Sequence, residues 1–257
     1  MSCITLSVSG KTATLTISRA EKRNAFTQAM WQQLADYCDE LEQQIKPRVL
    51  LVTAAGDQAF SAGADIQELA SLIANPDQLA ANTAIVQQAQ LKLQRLSCAT
   101  IAVINGLCVG GGMGIALCCD IRLAADHARF AITPSKLGLL YSIEDSRRLV
   151  NSIGEARSKW LLYSGQMIDA ATAMQWGLLH QVVSAEDLAQ TAADYSNSLL
   201  KVSAVSVRGI KQTLAYLGGD PDYPEQRVRP LFAEAFEQQD FKQAAAAFIN
   251  KQQPEFD

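Results

Sequence analysis

The stretch "NGLCVGGGMGIALCCD", residues 105–120, decides the fold, because three consecutive glycines open an apolar run. A glycine inside a regular helix or strand is about 0.5–1 kcal/mol less favourable than an alanine. Gly110, Gly111 and Gly112 therefore mark a point where the backbone itself has to be approached closely. The apolar segment "ATIAVI" just before them is predicted to be a buried strand, and a short helix is predicted to follow them.

A second stretch, "AFSAGADI" at residues 59–66, repeats this arrangement after the predicted strand "RVLLVTA". A helix start has free N–H groups and the positive end of the helix dipole. If the two starts lie side by side, two N–H groups converge on one oxygen and form an oxyanion hole, which stabilises the charge that grows on a carbonyl oxygen. The alternative is close packing of helix on strand, which also demands small residues.

The order of strands and helices predicts an α/β protein with largely parallel strands. One helix is predicted over about residues 27–45, because Met30, Leu34 and Cys38 recur at helical spacing. Beyond residue 200 the pattern is helical only. We therefore predict a core over residues 1–200 and a C-terminal helical oligomerisation subdomain over residues 201–257.

Composition and charge exclude several classes of function. Hydrophobic residues make up 49% and charged residues 19%, a globular balance, and the formal charge of -4 disfavours a nucleic-acid partner. No run approaches the roughly 20 apolar residues of a membrane span, and the first residues lack the order of a signal peptide. We expect a cytoplasmic protein with no membrane partner. The six cysteines form no C-x-x-C pair and the two histidines lie far apart, so no metal site is expected.

Two familiar motifs, one for dinucleotide binding and one for hydrolases, are absent from the sequence. The glycine run is not a dinucleotide fingerprint, because the G-x-G-x-x-G pattern breaks at Ile115 when counted from Gly110 and at Leu117 when counted from Gly112. The G-x-S-x-G elbow of many hydrolases is absent from the sequence.

Several stretches together resemble the crotonase superfamily, the enoyl-CoA hydratase/isomerase group, over nearly the whole chain. They are "EKRNAF" (21–26), "AFSAGADIQEL" (59–69), "INGLCVGGGMGIALCCDIRLAA" (104–125), "GLL" with "QVV" (177–183) and the tail "AFINKQQPEF". The resemblance implies an α/β spiral of ββα turns, C-terminal helices that build homotrimers and often hexamers, and acyl-CoA substrates. It implies no cofactor, since coenzyme A is part of the substrate.

The resemblance also implies site residues. The backbone N–H groups of Ala64 and Gly111 would form the oxyanion hole for an enolate. Contacts to coenzyme A are implied at Arg23, Ala25, Ala62, Ala64, Asp65, Ile66 and Lys251. For Asp65 a helix cap is the competing interpretation, and for Arg23 and Lys251 it is a solvated surface charge.

The sequence departs from the hydratases at two positions. Their two water-activating glutamates fall, by count, at Gly114 and Pro134. Water addition by that route should be badly impaired, since acid–base groups contribute typically about 10²–10⁴-fold. The enoyl isomerases rely on the second of these positions as well. Three polar candidates for an acid or base remain nearby, namely Tyr141, Glu144 and Asp145.

The loop that holds Tyr141 resembles the methylmalonyl-CoA decarboxylase branch, in Thr133-Pro134 and Leu137-Gly138 as well as in the tyrosine. That branch has histidine where this chain has Ala64 and glutamate where it has Gly114. A decarboxylase or another acyl-CoA lyase or isomerase therefore stays open. A non-catalytic acyl-CoA-binding protein also stays open.

Overall fold

Two β-sheets lie at the centre of the computed structural model, which describes residues 3–72 and 74–256. The larger sheet has the order β1-β2-β3-β5-β7-β10, with β1 (Ile4–Ser9), β2 (Thr12–Ile17), β3 (Val49–Ala54), β5 (Ala99–Ile104), β7 (Ile121–Ala125) and β10 (Gln181–Val183). The smaller sheet has the order β4-β6-β8-β9, with β4 (Ala59–Ser61), β6 (Leu107–Val109), β8 (Arg129–Ala131) and β9 (Ile168–Asp169).

The chain passes from the larger sheet to the smaller one and then into a helix, three times in succession. β3 and β4 lead into α2 (Ile66–Leu72) and α3 (Pro76–Arg95), β5 and β6 into α4 (Gly111–Cys118), and β7 and β8 into α5 (Ile143–Ser164). Successive turns pair in parallel, β3 with β5 and β5 with β7 in one sheet, β4 with β6 and β6 with β8 in the other. The predicted spiral of ββα turns is confirmed.

Burial explains the sequence patterns that predicted these elements. Every residue of β5 is buried, as expected for a parallel strand that is covered on both faces. α1 (Gln28–Glu40) buries Met30, Leu34 and Cys38 along one side, and the Thr27 hydroxyl accepts a hydrogen bond from the Met30 N–H at its start. A π-helical turn, Leu41–Ile45, continues it to the predicted end.

Five further helices complete the chain. They are α6 (Ala170–Trp176), α7 (Leu188–Leu199), α8 (Ala204–Leu217), α9 (Glu225–Ala235) and α10 (Gln239–Ile249). Within α8, α9 and α10 only Val228 is buried, while Phe232 and Phe248 are 77% and 84% exposed. The predicted subdomain boundary at residue 200 stays a prediction. No helix in the described part of the chain is both long and apolar enough to cross a membrane.

Candidate active site

The two small-residue loops adjoin each other. A Cβ atom added to Gly111 would lie 3.7 Å from the backbone nitrogen of Ala64. A Cβ atom added to Gly63 would lie 3.2 Å from the backbone nitrogen of Gly111. The structure thus places the two predicted amides in one small region, at the starts of α2 and α4.

Glycines are required here for two reasons. Gly63 has φ 95° and Gly110 has φ 52°, values that residues with a Cβ atom seldom adopt. Gly112 meets the second requirement, close approach, because a Cβ atom on it would lie 2.6 Å from the carbonyl oxygen of Ser61. The glycine run therefore lets α4 begin directly against the loop that follows β4.

Backbone pairing leaves both amides available to a ligand. The Phe26 N–H donates to the Gly63 carbonyl at 2.7 Å, and the Asp65 N–H donates to the Phe26 carbonyl at 2.8 Å. These two bonds use the residues on either side of Ala64 and leave the Ala64 N–H out of the pairing. The Gly111 N–H lies in the first turn of α4, where helix amides have no partner within the helix. Among the described residues, neither amide donates to a backbone carbonyl. Ala64 is exposed and Gly111 is half-buried.

Asp65 is the cap of α2. Its Oδ1 accepts hydrogen bonds from the N–H groups of Gln67 and Glu68 at 3.0 and 3.2 Å. Its Oδ2 accepts a hydrogen bond from Arg19 at 2.7 Å, and this bond lowers the pKa of the Asp65 carboxyl. The competing interpretation of Asp65 as a helix cap is confirmed. Its contact with coenzyme A stays a prediction.

The other predicted coenzyme A residues fall into two places. Arg23, Ala25 and Ala62 belong to neighbouring loops, since the Ala62 N–H donates to the Arg23 carbonyl at 2.9 Å, and Ile66 begins α2 just beyond them. The tail that carries Lys251 is bound elsewhere, because Arg48, at the start of β3, donates to the Phe256 carbonyl at 3.1 Å. In the part of the chain that the structure describes, no hydrogen bond or ion pair joins Lys251 to these loops.

The Tyr141 hydroxyl lies beside the paired loops. It donates to the carbonyl oxygen of Gly110 at 3.3 Å, one residue before Gly111. Burial raises the pKa of this hydroxyl far above its ordinary value, and the nearby charge of Asp145 raises it further. Tyr141 is therefore a neutral hydrogen-bond donor at physiological pH.

Asp145 occupies the space beside Gly114, the position where the count along the sequence predicts the first hydratase glutamate. Its Oδ1 and Oδ2 lie 3.0 and 3.3 Å from the point where a Cβ atom on Gly114 would be, and the Gln90 side-chain nitrogen is closer still. Gly114 lies one helical turn beyond Gly111. The structure thus brings a carboxylate from α5 to the place where α4 carries none.

The environment of Asp145 stabilises the neutral carboxyl more than water does for an exposed aspartate. Arg148 donates to it at 2.9 Å, and the Ser142 hydroxyl donates at 3.1 Å. Burial raises the pKa of Asp145 from its ordinary value, although the charge of Arg148 opposes this. A carboxyl with a raised pKa is a better proton acceptor in its ionised form than an ordinary aspartate.

Glu144 has different partners from Asp145. Its carboxylate accepts a hydrogen bond from Gln87 at 3.5 Å, and it lines a cavity of about 670 Å³ together with Arg147 and Arg148. Pro134, the second position without a glutamate, begins the 3-10 turn Pro134–Leu137 and supplies no acid.

Sequence reasoning missed five residues that shape this site, namely Arg19, Asn24, Ser61, Gln90 and Arg148. Asn24 and Ser61 lie inside the quoted stretches "EKRNAF" and "AFSAGADI", but nothing local shows that their side chains point inward. Gln90 approaches Gly114 and Asp145 only through the tertiary structure, because it lies on α3. Arg148 lies three residues after Asp145 on α5, a spacing at which two helix side chains meet, so this ion pair was open to sequence reasoning. The burial of Gln90 is a second signal that helical spacing could have given.

A buried cysteine packs within α4, near these loops. Cys118 on α4 is buried, and burial raises its pKa to about 12, so it is a neutral thiol that packs like a small apolar residue. Residues 3–72 and 74–256 contain no cluster of three histidine, cysteine, aspartate or glutamate side chains that could hold a metal ion.

The spiral of ββα turns, with two small-residue loops meeting at helix starts, defines the crotonase class of proteins. A family model described as enoyl-CoA hydratase/isomerase matches residues 8–257, and the chain belongs to that family.

Relatives of known description agree with this assignment. The short-chain-enoyl-CoA hydratase of Clostridium acetobutylicum is 30% identical over 253 residues, which cover 98% of this chain and 96% of that protein. An enoyl-CoA hydratase/isomerase family protein from Hyphomonas neptunium superposes with a TM-score of 0.92 at 30% identity, covering 99% and 97% of the two chains. An enoyl-CoA hydratase/carnithine racemase from Magnetospirillum magneticum superposes with a TM-score of 0.93 at 28% identity, and the match covers 100% of this chain and 96% of that chain. The resemblance stated from the sequence is confirmed.

Proposed function

We propose that this protein acts on acyl-CoA thioesters through an enolate whose oxygen is held by the backbone amides of Ala64 and Gly111. The observation that carries the proposal is the approach of these two amides, with the Ala64 nitrogen 3.7 Å from the Cβ position of Gly111 and both N–H groups free of backbone acceptors among the described residues. Each such donor stabilises a developing oxyanion by about 2.7–4 kcal/mol. Coenzyme A enters as part of the substrate, and the proposal needs no other cofactor.

The proposed chemical step is proton transfer at the carbon next to the thioester carbonyl. The Asp145 carboxylate takes the α-proton, the electron pair of the C–H bond moves into the C–C bond, and the carbonyl π electrons move onto the oxygen. The Ala64 and Gly111 amides hold that oxygen. Return of the proton from Asp145 restores the thioester. The carboxylate's contact with Gly114, one turn along α4 from Gly111, supports this role.

Tyr141 and Glu144 have supporting roles in the proposal. The Tyr141 hydroxyl, 3.3 Å from the Gly110 carbonyl, lies close enough to orient the acyl group or to donate a proton. Glu144 is the alternative acid, and it would have to turn from the cavity to reach the thioester. Asp145 is preferred because it already contacts α4.

Coenzyme A is proposed to lie along the loops of Arg23, Ala25, Ala62 and Ile66. Lys251 would meet a phosphate from a neighbouring subunit, since its own tail is held at Arg48. The exposed aromatic side chains on α9 and α10 support assembly of a homotrimer or homohexamer. A molecular mass of three or six chains in light scattering is expected, and a monomer that still binds coenzyme A would contradict the shared site. A cytoplasmic location belongs to the proposal.

The net reaction is proposed to differ from water addition by paired glutamates. The relative from Clostridium acetobutylicum is named a short-chain-enoyl-CoA hydratase, but Gly114 and Pro134 supply no carboxylate here. Decarboxylation of a methylmalonyl-type thioester is the second candidate, because Tyr141 lies beside the proposed oxyanion hole and such a reaction needs an enolate but no activated water.

Deuterium exchange tests the proposal directly. Butyryl-CoA incubated with the protein in D₂O should gain deuterium at the α-carbon, measured by mass spectrometry. Parallel assays with crotonyl-CoA, followed by the absorbance of the enoyl group, and with methylmalonyl-CoA, followed by carbon dioxide release, assign the net reaction. Binding of these thioesters without exchange, hydration or decarboxylation would contradict the proposal and identify a non-catalytic acyl-CoA-binding protein.

A further inference from the structure

A buried side chain fixes the segment that precedes the first of the two loops. Asn24 is 1% exposed and has φ 55°, in the left-handed region that asparagine tolerates better than most residues. Its Nδ2 donates to the carbonyl oxygens of Ala55 and Ala59 at 3.0 and 2.7 Å. Its Oδ1 accepts from the Arg19 N–H at 2.8 Å. The side chain therefore joins this turn to the end of β3 and to β4.

Ser61 continues this network into the loop itself. The side chain is fully buried, and its hydroxyl donates to the Asn24 carbonyl at 2.8 Å. The same oxygen accepts the Gly63 N–H at 3.1 Å. On its other side Ser61 is packed against α4, since a Cβ atom on Gly112 would lie 2.6 Å from its carbonyl oxygen and 2.8 Å from its Cβ. One residue thus contacts three separate segments.

These contacts flank both proposed oxyanion-hole amides. Gly63, which Ser61 binds, directly precedes Ala64, and Gly112, which Ser61 packs against, directly follows Gly111. We infer that Ser61, held by Asn24, is a positioning residue that sets the separation and direction of the Ala64 and Gly111 amides. It does so without touching the substrate. This inference rests on the proposed function, since it concerns the same two amides.

The physical reason is the precision that an oxyanion hole requires. A displacement of about 1 Å in a group that positions the reacting atoms is enough to lower a rate by about 10²-fold. Loss of the Ser61 hydroxyl would leave the Gly63 N–H and the Asn24 carbonyl without their present partner, in a region that excludes water. The Gly63 N–H belongs to the residue before Ala64, so its adjustment turns the Ala64 amide.

The test is Ser61→Ala, compared with Ser158→Ala as a matched control. Ser158 is also buried, and its hydroxyl donates at 2.7 Å to the Gly154 carbonyl within α5, away from the two loops. Three quantities are measured for each variant: the rate of α-deuterium exchange in butyryl-CoA, its dissociation constant, and the infrared stretching frequency of the ¹³C-labelled thioester carbonyl in the complex. The frequency reports the polarisation of the carbonyl by the two amides, and loss of stability alone does not change it.

Ser61→Ala is expected to slow exchange about 10- to 100-fold, to change the dissociation constant less than threefold, and to return the carbonyl frequency toward its value in water. Ser158→Ala is expected to leave all three at wild-type values. An unchanged rate and frequency in Ser61→Ala would overturn the inference while the proposed function stands. Wild-type protein that neither exchanges the α-proton nor lowers the carbonyl frequency would overturn both. If Ser61→Ala does not fold, Ser61→Cys, which keeps the volume and weakens the hydrogen bonds, is subject to the same comparison.

Discussion

The carboxylate of Asp145 lies against the place where a side chain on Gly114 would begin, with Oδ1 3.0 Å from the Cβ position. The side-chain nitrogen of Gln90 is closer still. A glutamate at residue 114 therefore requires the side chains of Gln90 and Asp145 to move. We do not expect this one substitution to create a water site, because a buried carboxylate already lies against the position.

Gly114→Glu is accordingly expected to lower stability and to give no gain in hydration of crotonyl-CoA. The new side chain would meet Gln90 and a buried carboxylate, and overpacking alone costs typically about 1–3 kcal/mol of unfolding free energy. Urea unfolding and the absorbance assay measure the two effects. Gly209→Ala on α8 is the matched control, because nothing lies within 4 Å of its Cβ position. A stable variant with new hydratase activity would show that Asp145 moves aside freely.

Gly111→Ala tests the second amide. The added methyl would lie 3.2 Å from the Trp31 ring and 3.7 Å from the Ala64 nitrogen, so it disturbs the place where a thioester oxygen would bind. The variant keeps the backbone N–H, so the expected effect is displacement of the bound oxygen, and a misplacement of about 1 Å lowers a rate about 10²-fold. Wild-type exchange in a variant with an intact fold, judged by circular dichroism, would show that the thioester oxygen does not bind beside this residue.

Asp145→Asn tests the proposed base. Loss of a general base costs typically about 10²–10⁴-fold in rate. The pH profile gives a second readout, because burial raises the pKa of Asp145 and exchange should fall as the pH drops through that raised value. In Asp145→Asn the exchange rate should no longer fall as the pH drops through this range.

Arg148 complicates the Asp145 experiment, since removal of one member of a buried ion pair costs about 3–5 kcal/mol. The double variant Asp145→Asn/Arg148→Met removes both charges and controls for this loss. A variant that keeps the wild-type rate and pH profile would assign the proton transfer to another group, with Glu144 the next candidate.

His180 gives a prediction about stability. Its Nδ1 accepts the Arg122 N–H at 3.1 Å, and burial lowers the pKa of the ring, with a further contribution from the Arg122 charge and an opposing one from Asp120. The unfolded chain then binds more protons than the folded one below its ordinary pKa of about 6.5, so stability falls as the pH drops through that value. The urea midpoint should decrease between pH 7.5 and 5.5, and less so in His180→Asn. The exposed His127→Asn is the control. Equal pH dependence in all three proteins would contradict this account.

Local pattern was sufficient for much of the fold. The stripe of Met30, Leu34 and Cys38 predicted α1, the fully apolar β5 predicted a strand covered on both faces, and the glycine run marked the start of α4. These features follow from which neighbours along the chain share a face. Resemblance to a family then supplied the spiral that joins them.

The contacts that build the site lay beyond local pattern. Asn24 meets Ala55 and Ala59 across about thirty residues, and Asp145 meets Gly114 across a similar distance. The hydrophobic periodicity of the sequence does not indicate such pairs, because each contact depends on how two turns of the spiral stack. The lack of a carboxylate at Gly114 and Pro134 could be read from the sequence, whereas the approach of Asp145 to Gly114 could not.

A crystal structure with acetoacetyl-CoA bound is the most direct test of the central claim. The thioester oxygen should lie within hydrogen-bond distance, about 2.7–3.2 Å, of the backbone nitrogens of both Ala64 and Gly111. A thioester oxygen that contacts neither nitrogen, or contacts only one while the other binds water, would contradict the account.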